Sequence, residues 1–395
     1  MFRKTKIIRT ATVALSLDFL LKGQLAFLQQ QYEVVAVSGN DEHLQTVANR
    51  EQVRTVNIPM QRNISPIKDL VSLWRLYVLF KKEKPQIVHS ITPKAGLLSM
   101  LAAKLAGVPV RMHTFTGLIF PTKKGFLQQL LIAMDRLLCA AATHIYPEGL
   151  GVKNDLLAYK ITNKPLQIIA NGNVNGIDTC YFSKKQVLIE EQQTLKNKLG
   201  ITETDFVFIF VGRLVGDKGI NELVSAFLQL ALSSSSFEQS AIKRKLKLLL
   251  VGPLESQLDP LQPDTLQAIV NNKNIISVGF QSEVRSYFAI ADCLVFPSYR
   301  EGFPNVVLQA GAMDLPSIVT DINGCNEIII EGQNGLIIPV QNVKALQAAM
   351  QKMVLDVVLI EKLRSSARHI IVSRYEQQLV WEAITSEYKR VENNV

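Results

Sequence analysis

At 395 residues, 48% of them apolar and 19% charged, the chain is too long for one ordinary hydrophobic core and too apolar to be disordered, so two domains are expected. Its net charge of +9 is unevenly spread: residues 1–185 carry 24 Lys and Arg against 11 Asp and Glu, a net +13, whereas residues 186–395 carry 19 against 23, a net −4. A basic N-terminal half predicts an anionic partner there, be it nucleic acid, a phosphorylated acceptor or an acidic membrane surface, with a plain solvated face as the alternative.

In chain order, MFRKTKIIRTATVALSLDFLL sets basic residues ahead of an apolar run, as a secretion signal does. Asp18 interrupts that run and no small-residue cleavage site follows, so a first strand and loop are expected instead. No eighteen apolar residues run uninterrupted, so membrane contact is expected to be peripheral. The runs YEVVAVSG, VRTVNIPM, PQIVHSIT and VPVRMHTFTG then continue a series of short strands. Among them PIKDLVSLWRLYVLFKKEK reads as an amphipathic helix with basic residues. Membrane contact and packing on the sheet both explain it, and packing is the expected role because an α/β sheet needs covering helices.

ANGNVNGIDTCYF, residues 170–182, is dense in Asn and Gly and suits a hinge, which places a domain boundary near residue 182. Beyond it FVFIFVGRL, KLKLLLVGP, NIISVGF, DCLVFPS and PSIVT are continuous apolar runs of the kind found in parallel strands covered on both faces. The SSSS stretch at 233–236 is expected to be a surface loop. The organisation is therefore α/β, two doubly wound domains over 1–182 and 183–370, with a helical segment 371–395 that is a candidate to pack back on the first domain. Cys139, Cys180, Cys293 and Cys325 stand at neither metal-ligand nor redox spacing, which favours a reducing cytoplasm over a disulfide framework.

In open α/β sheets ligands sit beyond the carboxyl ends of the strands. After FVFIFVG, the stretch RLVGDKG puts Arg213 at the strand end and Lys218 near the next helix start, two cations suited to clamp a diphosphate, with Gly212, Gly216 and Gly219 allowing close backbone approach. After DCLVFPS, EGFPNVVLQAGAM carries Glu301 on a loop and Gln309 about one turn inside a helix. Pro304 lacks an N–H, so the donors of this loop are the amides of Gly302, Phe303 and Asn305. Taken alone, these features also fit solvated cations and a helix-start acid. Neither an Asp-x-Asp triplet nor a His, Cys or carboxylate cluster at ligand spacing points to a catalytic metal, so no cofactor is expected.

The combination of VGRLVGDKG, FPSYREGFPNVVLQAGAMDLPSIVTDINGCNEIIIEGQNG and HTFTG resembles glycosyltransferase family 4, of the two-domain GT-B fold, in its capsular-polysaccharide and lipid-linked-glycan branch. The resemblance implies two Rossmann-like domains facing across a cleft. It also implies that Arg213 and Lys218 hold the nucleotide-sugar diphosphate, that Glu301 touches the donor sugar hydroxyls, and that Gln309 stands where the family has a second Glu on the ribose. Gln retains an acceptor oxygen for that contact but not the charge. His113 in RMHTFTG matches a family His that touches the donor sugar, with His89 in IVHSITPKAG as the competing position, and Glu327 matches a recurrent Glu for which a structural role is expected. Asp314 replaces a family Gly after the helix, and tolerates the left-handed conformation expected there. The N-terminal domain should bind the acceptor, with Lys22, Gly23, Lys94, Lys123 and Lys124 facing an anionic lipid diphosphate, although the family's paired glycines in the first loop are missing.

These implications amount to a metal-independent, retaining transferase that moves a sugar from a nucleotide-sugar, UDP-linked hexose or HexNAc, onto a polyprenyl-diphosphate-linked glycan at the inner face of the cytoplasmic membrane. Nucleic acid is not an expected partner. A nucleotide-sugar 2-epimerase and a non-catalytic sugar-nucleotide-binding partner are the rival readings.

Overall fold

The computed structural model describes residues 4–61, 65–233, 244–257 and 259–393. The chain divides into two compact units, Met1–Gly176 with Gln377–Val395, and Ile177–Glu376. The division falls inside the Asn- and Gly-rich stretch, before residue 182, and the chain crosses a second time after Glu376, so the last helix, Gln377–Glu392, is built into the first unit.

The first unit holds six parallel strands, β1 (Lys6–Thr10), β2 (Glu33–Ser38), β3 (Arg54–Asn57), β4 (Ile87–Ser90), β5 (Val110–Phe115) and β6 (His144–Pro147), in the order β3-β2-β1-β4-β5-β6. The second holds β7 (Phe206–Val211), β8 (Leu246–Val251), β9 (Ile275–Ser277), β10 (Cys293–Phe296), β11 (Ser317–Thr320) and β12 (Gly335–Ile338), in the order β12-β11-β10-β7-β8-β9. Read from the opposite edge, the second order repeats the first, and both are the doubly wound order of dinucleotide-binding folds. The ten apolar runs all form strands. The two strands that periodicity did not single out, β6 and β12, are both sheet edges. Both are short, four residues each, and largely buried.

Burial explains the central strands. FVFIF of β7 is wholly buried, and Phe206, Phe208 and Phe210 lie in one core with Leu248, Leu250 and Val295. In the first unit Ile7, Val34 and Val110 share a core with Ile384, Tyr388 and Val391 of the last helix, whose apolar stripe is thereby consumed. Where a loop was expected after β1, residues Ala14–Leu20 form a helix. Asp18 lies buried on it, hydrogen-bonded to His43 at 2.6 Å and paired with Arg50, and these partners meet the cost of removing a carboxylate from water. Ser233 ends the helix Ile220–Ser233, and the remainder of the SSSS stretch lies outside the described residues.

One glycine fixes the neighbourhood of β7 and β8. Gly252 has φ +148°, and a Cβ there would lie 1.8 Å from the Gly212 carbonyl oxygen. Gly107, at φ +79°, has open space around it. Gly252→Ala therefore combines conformational strain with a backbone clash, whereas Gly107→Ala carries strain alone. The expected result in thermal melts is a clear loss for Gly252→Ala, about 1–3 kcal/mol or more, and a smaller loss for Gly107→Ala. Equal melting points would show that the Gly212–Gly252 approach is not a constraint.

Candidate active site

In this sheet order the switch point of the second unit lies between β7 and β10, so the loops that follow those two strands border one crevice. Both loops are tightly held. After β7 the turn Gly216–Lys218 is anchored by Asp259, whose carbonyl accepts from the Gly216 amide at 3.1 Å and whose carboxylate accepts from the Asp217 amide. Gly219, at φ +70°, follows, and a Cβ there would lie 2.1 Å from the Pro297 carbonyl oxygen, so only glycine lets this turn lie against the end of β10. The Tyr299 amide then donates to the Asp217 carbonyl at 2.8 Å, and the Tyr299 hydroxyl donates to Glu222 at 2.6 Å.

This apposition brings Lys218 onto Glu301. Their side chains form an ion pair, 16% and 17% exposed, and the same Glu301 oxygen accepts from Ser298 Oγ at 2.8 Å. Ser298 is itself fixed, because Thr320 Oγ1 at the end of β11 donates to its carbonyl. The Lys218 ammonium also lies 5.9 Å from the centre of the Phe296 ring. A carboxylate and an ammonium in a partly desolvated setting can each be redirected to a ligand, the acid to hydroxyl donors and the cation to phosphate oxygens.

Arg213 is placed differently. Its guanidinium pairs with Glu255, beyond β8, at 2.9 Å and is 45% exposed, so Arg213 and Lys218 are tethered to different loops rather than to one counter-ion. The EGFPN loop is braced from behind. A Cβ on Gly324 would lie 2.4 Å from the Gly302 carbonyl oxygen, the Gly324 amide donates to Glu327 at 3.3 Å, and the Glu327 carbonyl accepts from Tyr375 at 3.0 Å. Glu327 thus shapes the loop that carries Glu301. Phe303 is 7% exposed against Tyr375, so its ring is core and only its amide is a candidate for ligand contact. Asn305 opens the helix Asn305–Ala312 and Gln309 lies half-buried within it, while Asp314 adopts φ +63° beyond its end. Cys325 is not a nucleophile candidate, since burial and the nearby Glu301 charge push its thiol well above the usual range.

In the first unit the structure corrects several expectations. His113 does not face a crevice. It is fully buried within β5, its Nδ1 is 2.7 Å from Ser90 Oγ, and a Cβ on Gly96 would lie 2.4 Å from its ring. His89 is equally buried, between Tyr388 at 2.8 Å, Arg9 at 3.1 Å and Thr114 at 2.8 Å. Strand alternation explains this, because His89 and His113 point into the helical layers rather than off the strand ends. Lys94 is also turned inward, paired with Asp69 at 2.8 Å and only 9% exposed, and so is not offered to an acceptor. Lys22 is exposed, but its carbonyl is tied to Asn175 and Gln377, and Gly23 is pinned by contact with Trp381. Lys123 and Lys124 are exposed ahead of the helix Gly125–Ala141.

Sequence reasoning passed over Ser298, Thr320, Asp259 and Gly324, which position the site through contacts between segments far apart in the chain. Ser298 alone had a local signal, as a hydroxyl two residues beyond β10.

Comparison with known proteins matches this architecture. Residues 191–370 fit the family model for glycosyl transferases group 1, and residues 24–172 fit that for a glycosyl transferase 4-like domain. The capsular polysaccharide biosynthesis glycosyltransferase CapM of Staphylococcus aureus is 31% identical over 388 residues, 98% of this chain and 97% of that protein. This chain belongs to glycosyltransferase family 4, with the GT-B fold. A second relative of the glycosyltransferase is the Escherichia coli UDP-Gal:alpha-D-GlcNAc-diphosphoundecaprenol alpha-1,3-galactosyltransferase, 29% identical over 310 residues, 78% of this chain and 77% of that one. Among solved structures, a glycosyltransferase from Rickettsia africae superposes with a TM-score of 0.79 at 20% identity, covering 100% of both chains. Anabaena HepE in complex with UDP and glucose gives 0.79 at 15% identity, covering 98% of this chain and 100% of that one. Together with these relatives, the glycosyltransferase acts in polysaccharide synthesis.

Burial holds His113 and His89 neutral, His113 at a pKa of about 3 and His89 well below the ordinary 6.5. Below pH 6.5 the unfolded chain binds protons that the folded unit refuses, so the stability these groups permit is complete above pH 6.5 and is lost as the pH falls toward about 3. Melting temperature should therefore drop through this window, with a shallower slope for His113→Gln. An unchanged slope in that variant would show that His113 does not contribute to acid lability.

Proposed function

We propose that the glycosyltransferase is a retaining, metal-independent enzyme that transfers a UDP-linked hexose or HexNAc to a polyprenyl-diphosphate-linked glycan, working peripherally at the inner face of the cytoplasmic membrane through its basic first unit. The observation that carries this reading is the Lys218–Glu301–Ser298 cluster at the switch point, which sets a cation and a hydrogen-bond-accepting acid side by side. The UDP donor and the diphosphate-linked acceptor are supported by relatives such as the E. coli UDP-Gal:alpha-D-GlcNAc-diphosphoundecaprenol galactosyltransferase and by HepE's UDP complex. Among the described residues no helix is long and apolar enough to cross a membrane, in keeping with a peripheral role.

In this reading Lys218 exchanges part of its pairing with Glu301 for oxygens of the donor diphosphate, and Glu301 accepts from hydroxyls of the sugar. The bond from the anomeric carbon to the diphosphate oxygen breaks while the bond to the acceptor oxygen forms on the same face. The acceptor's proton passes to the departing diphosphate, whose charge Lys218 and Arg213 stabilise. Gln309 accepts from the ribose without a full charge.

Saturation-transfer NMR with a panel of UDP- and GDP-sugars, without added metal, tests the donor assignment. One nucleotide-sugar should bind the wild type and fail to bind Arg213→Ala or Glu301→Ala; binding only by GDP-sugars, or none at all, overturns it. Lys218→Ala should lower turnover by about 10²–10³ in a folded protein, the usual effect of removing one charge-stabilising donor, and near-normal turnover would remove Lys218 from the mechanism. Gln309→Glu should tighten UDP-sugar binding by about fivefold, since a hydrogen bond to an ionised acceptor exceeds a neutral one by about 1 kcal/mol. Unchanged affinity in titration calorimetry would show that position 309 does not meet the ribose.

A further inference from the structure

The helix Pro66–Glu83 was expected to be used up by packing on the sheet, and only its narrow inner face is, with Ser72, Leu76 and Phe80 buried. Its outer face is apolar. Ile67 is 82% exposed, Leu70 67%, Val71 46%, Trp74 64% and Val78 47%. These positions recur at i, i+3, i+4, i+7 and i+11, a single stripe along three turns on the side away from the core. A surface helix of an ordinary globular domain shows the opposite pattern, and a contiguous exposed stripe of this kind marks an interaction surface.

Charge around the stripe is one-sided. Lys68, Arg75, Lys81 and Lys82 are exposed. The two acids of the helix are engaged by cations outside it, Asp69 by Lys94 at 2.8 Å and Glu83 by Lys6 at 2.8 Å and Arg54 at 2.7 Å. The fold thus neutralises the helix's negative charge and leaves its positive charge facing solvent. The helix Pro93–Ala106 packs against both this helix and Gly125–Ala141, and exposed Lys123 and Lys124 just ahead of the latter stand beside exposed Phe126 and Leu127 in its first turn, a second pairing of cations with apolar side chains in the same layer.

We propose that the outer face of Pro66–Glu83 docks on an anionic lipid bilayer, lying in the plane of the interface with Ile67, Leu70, Trp74 and Val78 among the lipid chains and Lys68, Arg75, Lys81 and Lys82 at the headgroups. Long cationic side chains flanking apolar ones suit this depth, and an indole suits the boundary between hydrocarbon and water. A second copy fits worse. A symmetric contact through this face sets the same four cations against themselves. The inference rests on the peripheral membrane contact proposed above and names the surface that makes it.

The full-length protein is tested by co-sedimentation with vesicles of phosphatidylcholine alone or mixed with phosphatidylglycerol. The expected result is binding that requires the anionic lipid and weakens at least tenfold in Ile67→Glu/Leu70→Glu, whose melting point stays that of wild type because both residues are exposed. The chain has two tryptophans, and Trp381 is half-buried in contact with Phe27, its indole donating to Asn175 at 2.8 Å. Quenching by brominated lipid should therefore fall on Trp74 and disappear in Trp74→Ala. Normal vesicle binding by the double variant with Trp74 unquenched overturns the helix assignment and leaves peripheral contact standing. Failure of the wild type to bind any vesicle overturns both. A lipid-free dimer that the double variant disperses in sedimentation velocity overturns the proposal in favour of a second copy.

Discussion

The candidate site depends on one backbone approach, that of Gly219 to the Pro297 carbonyl. No side chain fits between the turn after β7 and the end of β10, and because none is there the two loops share hydrogen bonds, Tyr299 to Asp217 among them. Lys218 and Glu301, 83 residues apart in the chain, then meet without either reaching far from its own backbone. Preorganisation of this kind matters more than the strength of the pair itself, since a partly exposed ion pair contributes little to stability but holds two opposite charges side by side at the switch point.

The bracing continues outward through small contacts. Asp259 fixes the turn that carries Lys218, Thr320 fixes Ser298, and Gly324 with Glu327 supports the EGFPN loop against the Tyr375 hydroxyl. Asp259, Gly324 and Glu327 lie beyond the carboxyl ends of strands, and Thr320 is the last residue of β11. The parallel sheet therefore does more than bury Phe206, Phe208 and Phe210. It delivers successive loops to one edge, where residues from β7, β8, β10 and β11 meet.

The two units repeat one strand order but use it for different ends. In the second, the switch-point loops expose a cation and an acid. In the first, Thr12 and Thr92 bridge the corresponding point, Oγ to Oγ at 2.8 Å, while Arg9, His89 and Tyr388 form a buried polar group beneath it. That unit's positive charge is instead carried on its helices, as on Pro66–Glu83, where an apolar stripe and exposed lysines replace the usual polar coat.

Much of this was legible in the sequence because it is local. Ten apolar runs specified ten strands, an Asn- and Gly-rich stretch marked the chain crossing, and the spacing of Glu301, Pro304 and Gln309 placed an acid on a loop and an amide in a helix. Asp314 accepted a left-handed backbone as its residue type allows. The sequence could not show direction. Whether His113 points off a strand end or into a helical layer, whether Lys94 meets solvent or Asp69, and which face of Pro66–Glu83 is covered all depend on what packs alongside. The pairings of Lys218 with Glu301 and of Arg213 with Glu255 were likewise decided by tertiary structure, because sheet order, not sequence distance, determines which loops share a crevice.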